Sequence, residues 1–342
     1  MSSLLSKFKF NYTYALLGLL AVVLLVFTVT RGSMLWRVDM WLSMAVQFPE
    51  YGVMVLAVML CFIIGKIDVS FVALGNLSAI VAILLVTQVL GLGEHEGYLP
   101  VFFIIVIALI FGGVCGLLNG LLIAKLNIPP ILATLSTQMV FMGITVGITR
   151  GHAVSGIPPQ FTQMIRQPSI FGFRFVPFLM FVLVLLFCSY LVKYTTFGKK
   201  MFMIGSNSTA AKFSAVDVNK TVIITFVLAG VITTIGTLIM VANMNSARAD
   251  TGASYLMRCI LILVLAGVLP VGGMGKIRNV LIAIFTIQVI STGVNMFPQL
   301  NVFYRELVSA VLLLAVLVAT SMVFGEKKLF SFGKSKLPDA AG

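Results

Sequence analysis

The stretch that decides the fold is Val101–Ala124, VFFIIVIALIFGGVCGLLNGLLIA, which contains no charged residue. A helix that crosses the hydrocarbon core of a bilayer needs about 20 consecutive, mostly apolar residues. A surface helix of a soluble protein presents a polar face at every turn, and this stretch presents none. It therefore predicts a helix that spans a membrane.

Comparable stretches recur on both sides of it. Residues 15–30 and 308–323 also lack charge, and 60% of the chain is hydrophobic while 10% is charged. Soluble domains carry roughly 25% charged residues. The sequence predicts an all-α integral membrane protein with about ten transmembrane helices. The predicted segments are 14–30, 50–65, 70–90, 100–124, 132–150, 176–193, 221–242, 257–275, 278–297 and 306–324.

The loops between these segments distribute the basic residues unequally. With both termini in the cytoplasm, every lysine lies on the cytoplasmic side, the side that carries an excess of basic residues in membrane proteins. Because the basic residues sit singly or in pairs, the net charge of +13 does not predict nucleic-acid binding. We expect residues 1–342 to form a single transmembrane domain in contact with membrane lipid. A loop at 194–220 and a hydrophilic tail at 325–342 are both expected in the cytoplasm.

Residues typical of enzymes and metal sites are scarce. His95 and His152 fall in predicted outer loops, and neither has the spacing of a metal ligand. The four cysteines lie in or beside apolar segments without a metal or redox spacing. The chain has no Gly-x-x-x-x-Gly-Lys-Ser/Thr phosphate loop, hence no visible means of hydrolysing ATP. We expect no catalytic residue, no metal and no cofactor.

Neutral polar residues interrupt the apolar segments. An unpaired amide in hydrocarbon costs several kcal/mol, so such residues face other helices or a cavity. Contacts between helices and contacts with a solute both explain any single one. As a set they favour a route for an uncharged, hydroxyl-rich solute. The residues predicted to line it are Asn119, Thr134, Gln138 and Asp68, the last being the one carboxylate near a span, at a helix break.

The cytoplasmic loop 194–220 is long enough to offer a surface to a partner. Ser206, Asn207 or Ser208 can each cap a short helix over Ser206–Val216, and glycines before it permit tight turns. An ordinary solvated loop explains the same composition. The candidate coupling residues are Gly198, Gly205, Asn207, Ala210 and Phe213.

Several motifs together resemble one family, the permease subunits of ribose- and galactose-type bacterial ABC importers. Gly65-Lys66-Ile67-Asp68-Val69-Ser70 is similar to the family's Gly-Ile-Asp-Leu-Ser-Val-Gly. Asn119-Gly120 precedes Ile128-Pro129-Pro130-Ile131-Leu132-Ala133-Thr134-Leu135, as the family's Asn-Gly precedes its Ile-Pro-Pro-Phe-Ile-Val-Thr-Leu. Phe197-Gly198, Ile204-Gly205-Ser206-Asn207 and Ala210-Ala211 resemble its cytoplasmic loop, and Gly272-Gly273-Met274-Gly275 its Gly-Gly-x-Gly.

The chain also departs from the family pattern. Leu256-Met257-Arg258-Cys259 stands where the family usually has Glu-Leu-Asp-Ala, and Ala266-Gly267 where it has Gly-Gly. Val72 and Ala215 occupy positions where glycine is usual. Three explanations of Arg258 are open: an unusual or anionic solute, an ion pair with Asp250, or docking of a binding protein.

The resemblance implies a type II importer-like bundle in the bacterial cytoplasmic membrane. It also implies a subunit that moves a sugar or sugar-like solute, powered by a separate ABC ATPase. An extracytoplasmic solute-binding protein and a second permease subunit, identical or related, are the other implied partners. The alternative is a self-contained secondary transporter, against which the scarcity of intramembrane carboxylates argues.

Overall fold

A computed structural model describes residues 12–93, 97–166, 169–170 and 173–297, and the single positions 307, 310, 311, 314, 315 and 318. Within these residues, eight helices are long and apolar enough to cross a membrane. They are α1 (Tyr12–Leu35), α2 (Val38–Ile63), α3 (Phe71–Leu84, continued by a π-helical turn Leu85–Val89), α4 (Leu99–Ala124), α5 (Pro130–Thr149), α7 (Phe175–Tyr194), α10 (Val218–Met244) and α12 (Ile277–Asn295). The shorter elements are α6 (Pro159–Arg166), α8 (Thr196–Ser206), α9 (Ser208–Phe213), α11 (Ala253–Leu265), β1 (Ser169–Ile170) and β2 (Phe173–Arg174).

The prediction of an all-α membrane protein is confirmed, and nine predicted segments correspond to α1, α2, α3, α4, α5, α7, α10, α11 and α12. The two-residue strands β1 and β2 form one small antiparallel hairpin. The tenth segment, 306–324, falls mostly outside the described residues, and the tail 325–342 lies wholly outside them.

Two predicted boundaries are wrong by about three helical turns. The second helix begins at Val38 rather than at residue 50, and it runs through Pro49. Proline is tolerated inside membrane helices because neighbouring helices satisfy the freed backbone groups. The eighth predicted segment, which is α11 in the structure, ends at Leu265 rather than at residue 275. The residues that follow include Gly267, Gly272 and Gly273, whose φ angles of 71° to 89° lie outside the helical region.

The centre of the bundle is α2, which is buried continuously from Phe48 to Ile63. The closest packing beside it is between α4 and α10. A side chain on Gly112 or Gly116 of α4 would overlap α10, and one on Gly230 would overlap α4. Small residues at helix interfaces let backbones approach closely in membranes, where hydrophobic burial does not drive association. These glycines therefore set the distance between α4 and α10.

The loops gather at two ends of the bundle. At one end, Val154 pairs with Ala247 through both backbone hydrogen bonds, which joins the loop after α5 to the loop after α10. At the other end, the end of α2, helix α8 and the segment between α11 and α12 meet: the Gly273 amide donates to the Ile63 carbonyl at 2.9 Å. The second group contains Lys66 and Lys276. The two groups of loops are the ones predicted to lie on opposite sides of the membrane. The group with the lysines is the one predicted to face the cytoplasm.

Candidate functional site

Residues 64–70, called the break below, connect α2 to α3 and carry the first predicted route residue. Asp68 is 2% exposed, and one of its oxygens accepts hydrogen bonds from the Ser70 amide (2.8 Å) and the Ser70 hydroxyl (2.7 Å). The Asn119 amide of α4 donates in turn to the Ser70 hydroxyl at 2.8 Å. Burial raises the pKa of the Asp68 carboxyl, and the bonds from Ser70 oppose that rise. A continuous hydrogen-bonded chain thus joins α4 to the break.

The fifth helix reaches the same place. The Thr134 hydroxyl is fully buried and donates to the Pro130 carbonyl at 2.9 Å, and it also lies 3.3 Å from the Ile67 carbonyl. Gln138, one turn further along α5, is half-buried and makes no hydrogen bond within the described part of the chain. The structure therefore brings Asp68, Asn119 and Thr134 together at the break, whereas Gln138, one turn along α5, has no hydrogen-bond partner among the described residues.

One atom at this site has unused hydrogen-bonding capacity. The carbonyl oxygen of the Asn119 side chain is buried and accepts no hydrogen bond from any described residue. Buried polar atoms are nearly always bonded, and an exception calls for an explanation such as a bound water or ligand. Ser70, the residue that connects Asp68 to Asn119, was not singled out from the sequence, although its place in the Asp-x-Ser motif signalled it.

The loop 194–220 is almost entirely helical. Asn207 caps α9, because its side-chain oxygen accepts from the Thr209 and Ala210 amides, both at 3.0 Å. The prediction of a short helix here is right, with bounds 208–213 rather than 206–216. Phe213 is 88% exposed, and Ala210 is exposed as well. An open cleft of about 340 Å³ follows α9 and is lined by Lys212, Ala215, Val216, Asp217, Val218 and Asn219.

Gly198 and Gly205 do not form the tight turns predicted for them. Both lie inside α8, and neither has a positive φ. A side chain on Gly198 would overlap the Val192 carbonyl, and one on Gly205 would overlap the Ile63 carbonyl and the Gly273 amide. Both positions therefore need glycine because another backbone passes too close for a Cβ atom.

The contact of Gly205 belongs to a larger junction of glycines. Gly272 lies against Gly65 of the break, since a side chain on Gly272 would come within 2.6 Å of the Gly65 nitrogen and 3.0 Å of the Gly205 Cα. Gly273 packs against Ser206 in the same way. We call Gly65, Gly205, Gly272 and Gly273 the glycine junction. It places α8 in backbone contact with Ile63, at the end of α2, and with Gly272, which in turn lies against Gly65 of the break. The break is bonded to Asn119 and Thr134.

Ala215, one of the departures from the family pattern, has a backbone conformation that favours glycine. Its φ is 58°, in the left-handed region where glycine is favoured because it has no Cβ atom. The family's glycine fits this backbone without strain, and this chain holds an alanine there instead. We expect the conformation that follows α9 to be the same in relatives that keep the glycine.

Comparison with known proteins identifies the family. The family described as "Branched-chain amino acid transport system / permease component" matches residues 40–317. The chain belongs to this permease family. The Autoinducer 2 import system permease protein LsrD of Photorhabdus laumondii is 30% identical over 314 residues, which are 90% of this chain and 91% of that protein. The proteins of the same name from Photorhabdus luminescens and Yersinia pseudotuberculosis are 29% identical with the same coverage. No solved structure matches the chain significantly.

The permease is therefore a multi-pass integral protein of the bacterial inner membrane, a component of a transport system. The prediction of the family is confirmed. The roles of the individual route and coupling residues stay predictions, and the geometry now supplies the contacts through which to test them.

The permease is expected to lose transport when the amide of Asn119 is removed. Asn119→Leu keeps the approximate volume of the side chain but deletes the donor to Ser70 and the unbonded carbonyl oxygen. We expect the initial rate of solute uptake to fall about tenfold or more, with unchanged protein in the membrane. Thr145→Val is the control, because the Thr145 hydroxyl donates, among the described residues, only to the Phe141 carbonyl, one turn earlier in its own helix α5. Parental uptake by Asn119→Leu would mean that Asn119 only holds helices together.

Proposed function

We propose that the chain is the transmembrane subunit of an ATP-powered importer for a sugar-like solute, with autoinducer 2 as the first candidate. One observation carries the proposal: the exposed helix α9 follows α8 directly, and α8 contacts the break through the glycine junction. A displacement of α9 at Phe213 would pass through α8 and the glycine junction to the break, which is bonded to Asn119 and Thr134. The full-length relatives support the solute, since their names specify autoinducer 2 import.

The proposed energy source is a separate ABC ATPase, because the chain has no phosphate loop. A helix that binds in a groove of its partner is a common mode of recognition, and α9 offers a short exposed helix that ends in an exposed aromatic residue, Phe213. An extracytoplasmic binding protein is proposed to deliver solute to the loops at the other end. Residues 194–220 are thus the proposed coupling loop, within one transmembrane domain.

A second permease subunit, identical or related, is proposed to cover α5. Large apolar side chains are exposed along this helix, among them Leu132, Met139 and Val140. Lipid alone would satisfy those side chains, but Gln138 on the same helix has an amide without a partner in the described residues. An amide facing hydrocarbon costs several kcal/mol, which favours protein or a water-filled route at this face.

The chemistry of the route favours a hydroxyl-rich solute over an amino acid, although the family's description mentions branched-chain amino acids. Asn119, Thr134 and Gln138 are neutral donors and acceptors, suited to hydroxyl groups. An amino acid carries an ammonium and a carboxylate, and each needs a counter-charge or several aligned dipoles in a buried site. Asp68 is the one charged residue among the four predicted route residues, and Ser70 already binds it. The other charged residue of the break, Lys66, is half-buried at the predicted cytoplasmic end.

A self-contained secondary transporter is the second candidate. One structural observation favours it that the sequence analysis did not include. Glu50, placed at a segment edge by sequence reasoning, is 8% exposed inside α2, so Asp68 is not the single carboxylate near the bundle centre. Proton-driven carriers use such buried carboxylates as relays. The family and the full-length relatives favour the importer, and the source of energy separates the two.

The solute is tested by uptake into cells that express the chain with its ATPase and binding protein. The probes are autoinducer 2, D-ribose and L-leucine, each at a concentration that saturates uptake. We expect uptake of autoinducer 2, D-ribose or both, and none of leucine above cells that lack the chain. Uptake of leucine without either hydroxylated solute would overturn the proposed substrate class.

A further inference from the structure

A polar cluster that plays no part in the break lies nearer the other end of the bundle. The two carboxylate oxygens of Glu50 accept hydrogen bonds from the Asn243 amide (3.0 Å) and the Tyr255 hydroxyl (3.1 Å). Glu50 is buried, whereas Asn243 and Tyr255 are half-buried. Helices α2, α10 and α11 therefore meet around one buried carboxylate whose two hydrogen-bond partners are partly exposed.

Arg258 of α11 adjoins this carboxylate. Its guanidinium lies 5.4 Å from the ring centroid of Tyr51 and 5.7 Å from that of Tyr255, and it attracts Glu50 electrostatically. It is half-buried, yet in the described part of the chain it forms neither a hydrogen bond nor an ion pair within 4.0 Å. The ion pair with Asp250 considered from the sequence is absent, because Arg248 binds Asp250 at 3.0 Å instead.

A chain of hydrogen bonds continues from the cluster along α2. The Tyr51 hydroxyl donates to Gln288 at 2.6 Å, and the Gln288 amide donates to Thr292 (3.1 Å) and lies 3.4 Å from the Gln47 carbonyl oxygen. Gln47, which is exposed, donates to Ser43 at 2.8 Å. A hydrogen-bonded chain, buried at Tyr51 and Gln288, therefore runs from an early turn of α2 to the cluster.

Contact between helices explains most of these groups but not Arg258. The bonds of Glu50 with Asn243 and of Tyr51 with Gln288 are closed pairs, which are worth roughly 1 kcal/mol each as links between membrane helices. A cation on a membrane helix is costly and normally pairs with an acid or lines a route. The guanidinium of Arg258 lies against the adjacent rings of Tyr51 and Tyr255, whose centroids are 5.9 Å apart, and its planar N–H donors have no acceptor among the described residues.

We propose that Arg258, Glu50, Tyr51, Tyr255 and Asn243 form an outer solute site of the permease, which takes a neutral polyhydroxylated solute from the binding protein. This inference rests on the importer function proposed above. The planar guanidinium can donate to two neighbouring hydroxyl groups at once. The Glu50 carboxylate, with two of about four acceptor positions used, accepts from a further hydroxyl. The half-buried ring of Tyr255 offers an apolar face for the carbon skeleton, whereas the buried ring of Tyr51 lies against Arg258.

The test is solute protection of a reporter cysteine. Ser254 is exposed and lies four residues before Arg258, so it is on the same face of α11, and Ser254→Cys changes one atom. The native cysteines are all buried. The purified importer without its binding protein is treated with a polar maleimide, with and without millimolar autoinducer 2 or D-ribose. We expect the transported solute to slow labelling about fivefold or more, which is about 1 kcal/mol.

The controls separate solute binding from a structural role. His152→Cys, exposed in the loop after α5, should be labelled equally with and without solute. Arg258→Gln and Glu50→Gln, each combined with Ser254→Cys, should abolish protection while the ATPase still co-purifies. Arg258→Lys keeps the charge without the planar fork and should give partial protection and slower uptake.

The possible outcomes distinguish failure of the importer function from failure of the outer solute site. If the parent importer transports neither hydroxylated probe, the proposed function fails together with this inference. If it transports a probe that does not protect Ser254→Cys, or that protects equally well in Arg258→Gln, the outer site is wrong while the importer function stands. If Arg258→Gln does not insert in the membrane, Arg258 is a structural requirement, and the inference is overturned.

Discussion

Phe213→Asp is expected to detach the ATPase and so to abolish solute transport. Phe213 is 88% exposed on a helix capped by Asn207, which suits an anchor in a groove of a partner. Buried aromatic anchors contribute about 2 kcal/mol or more to such interfaces, so association should weaken about thirtyfold or more. We expect the ATPase to be lost on purification, and solute-stimulated hydrolysis and uptake to fall together.

Two further variants define what this experiment shows. Phe213→Leu retains an apolar anchor and should keep most of the co-purifying ATPase, whereas Ala210→Arg places a long charged side chain on the same exposed helix and should act like Phe213→Asp. Amounts of chain in the membrane are measured for all three. If Phe213→Asp and Ala210→Arg both keep parental uptake, α9 is not the coupling element.

Gly205→Ala is expected to block transport in a different way. The added Cβ atom would overlap the Ile63 carbonyl and the Gly273 amide, so α8 must move away from the break. The exposed face of α9 is unchanged, and the ATPase should still co-purify. Solute uptake should fall about tenfold or more, with stimulated hydrolysis reduced and basal hydrolysis retained.

The matched control for this substitution is Gly18→Ala, because an added Cβ on that helical glycine of α1 meets no atom within 4 Å. It should transport like the parent. Gly272→Ala approaches the junction from the opposite side and should reproduce the loss. Normal uptake in Gly205→Ala, or loss of the ATPase from it, would contradict a role of the glycine junction in transmission.

Much of the fold is predictable because most spanning helices are continuous apolar stretches. The start of α2 was missed for a physical reason: hydropathy counts each residue alone, whereas Gln47 and Glu50 are paired in the structure with Gln288 and Asn243. Gly267 and the glycines after it indicate that α11 ends before them. The apolar residues between these glycines favour a longer helix, and the predicted segment therefore extends to residue 275.

The residues of the candidate site are predictable from the sequence, but most of their contacts are not. Asn119, Asp68 and Thr134 were chosen as polar residues in an apolar context, and the structure joins them at the break through Ser70. The glycines of the coupling loop were assigned to turns because glycine permits them. The close contacts of Gly205 with Ile63 and Gly273 join residues far apart in the chain, which no local pattern reveals, whereas Gly198 packs against the nearby Val192 carbonyl.

The most direct test of the central claim is the energy source of uptake. The chain is reconstituted in proteoliposomes with its ATPase and binding protein, and accumulation of autoinducer 2 or D-ribose is measured. The account predicts accumulation that requires enclosed ATP at the ATPase side, stops when the ATPase is inactivated, and is unaffected by a protonophore. Accumulation by the chain alone, driven by a proton gradient and abolished by Glu50→Gln or Asp68→Asn, would contradict it.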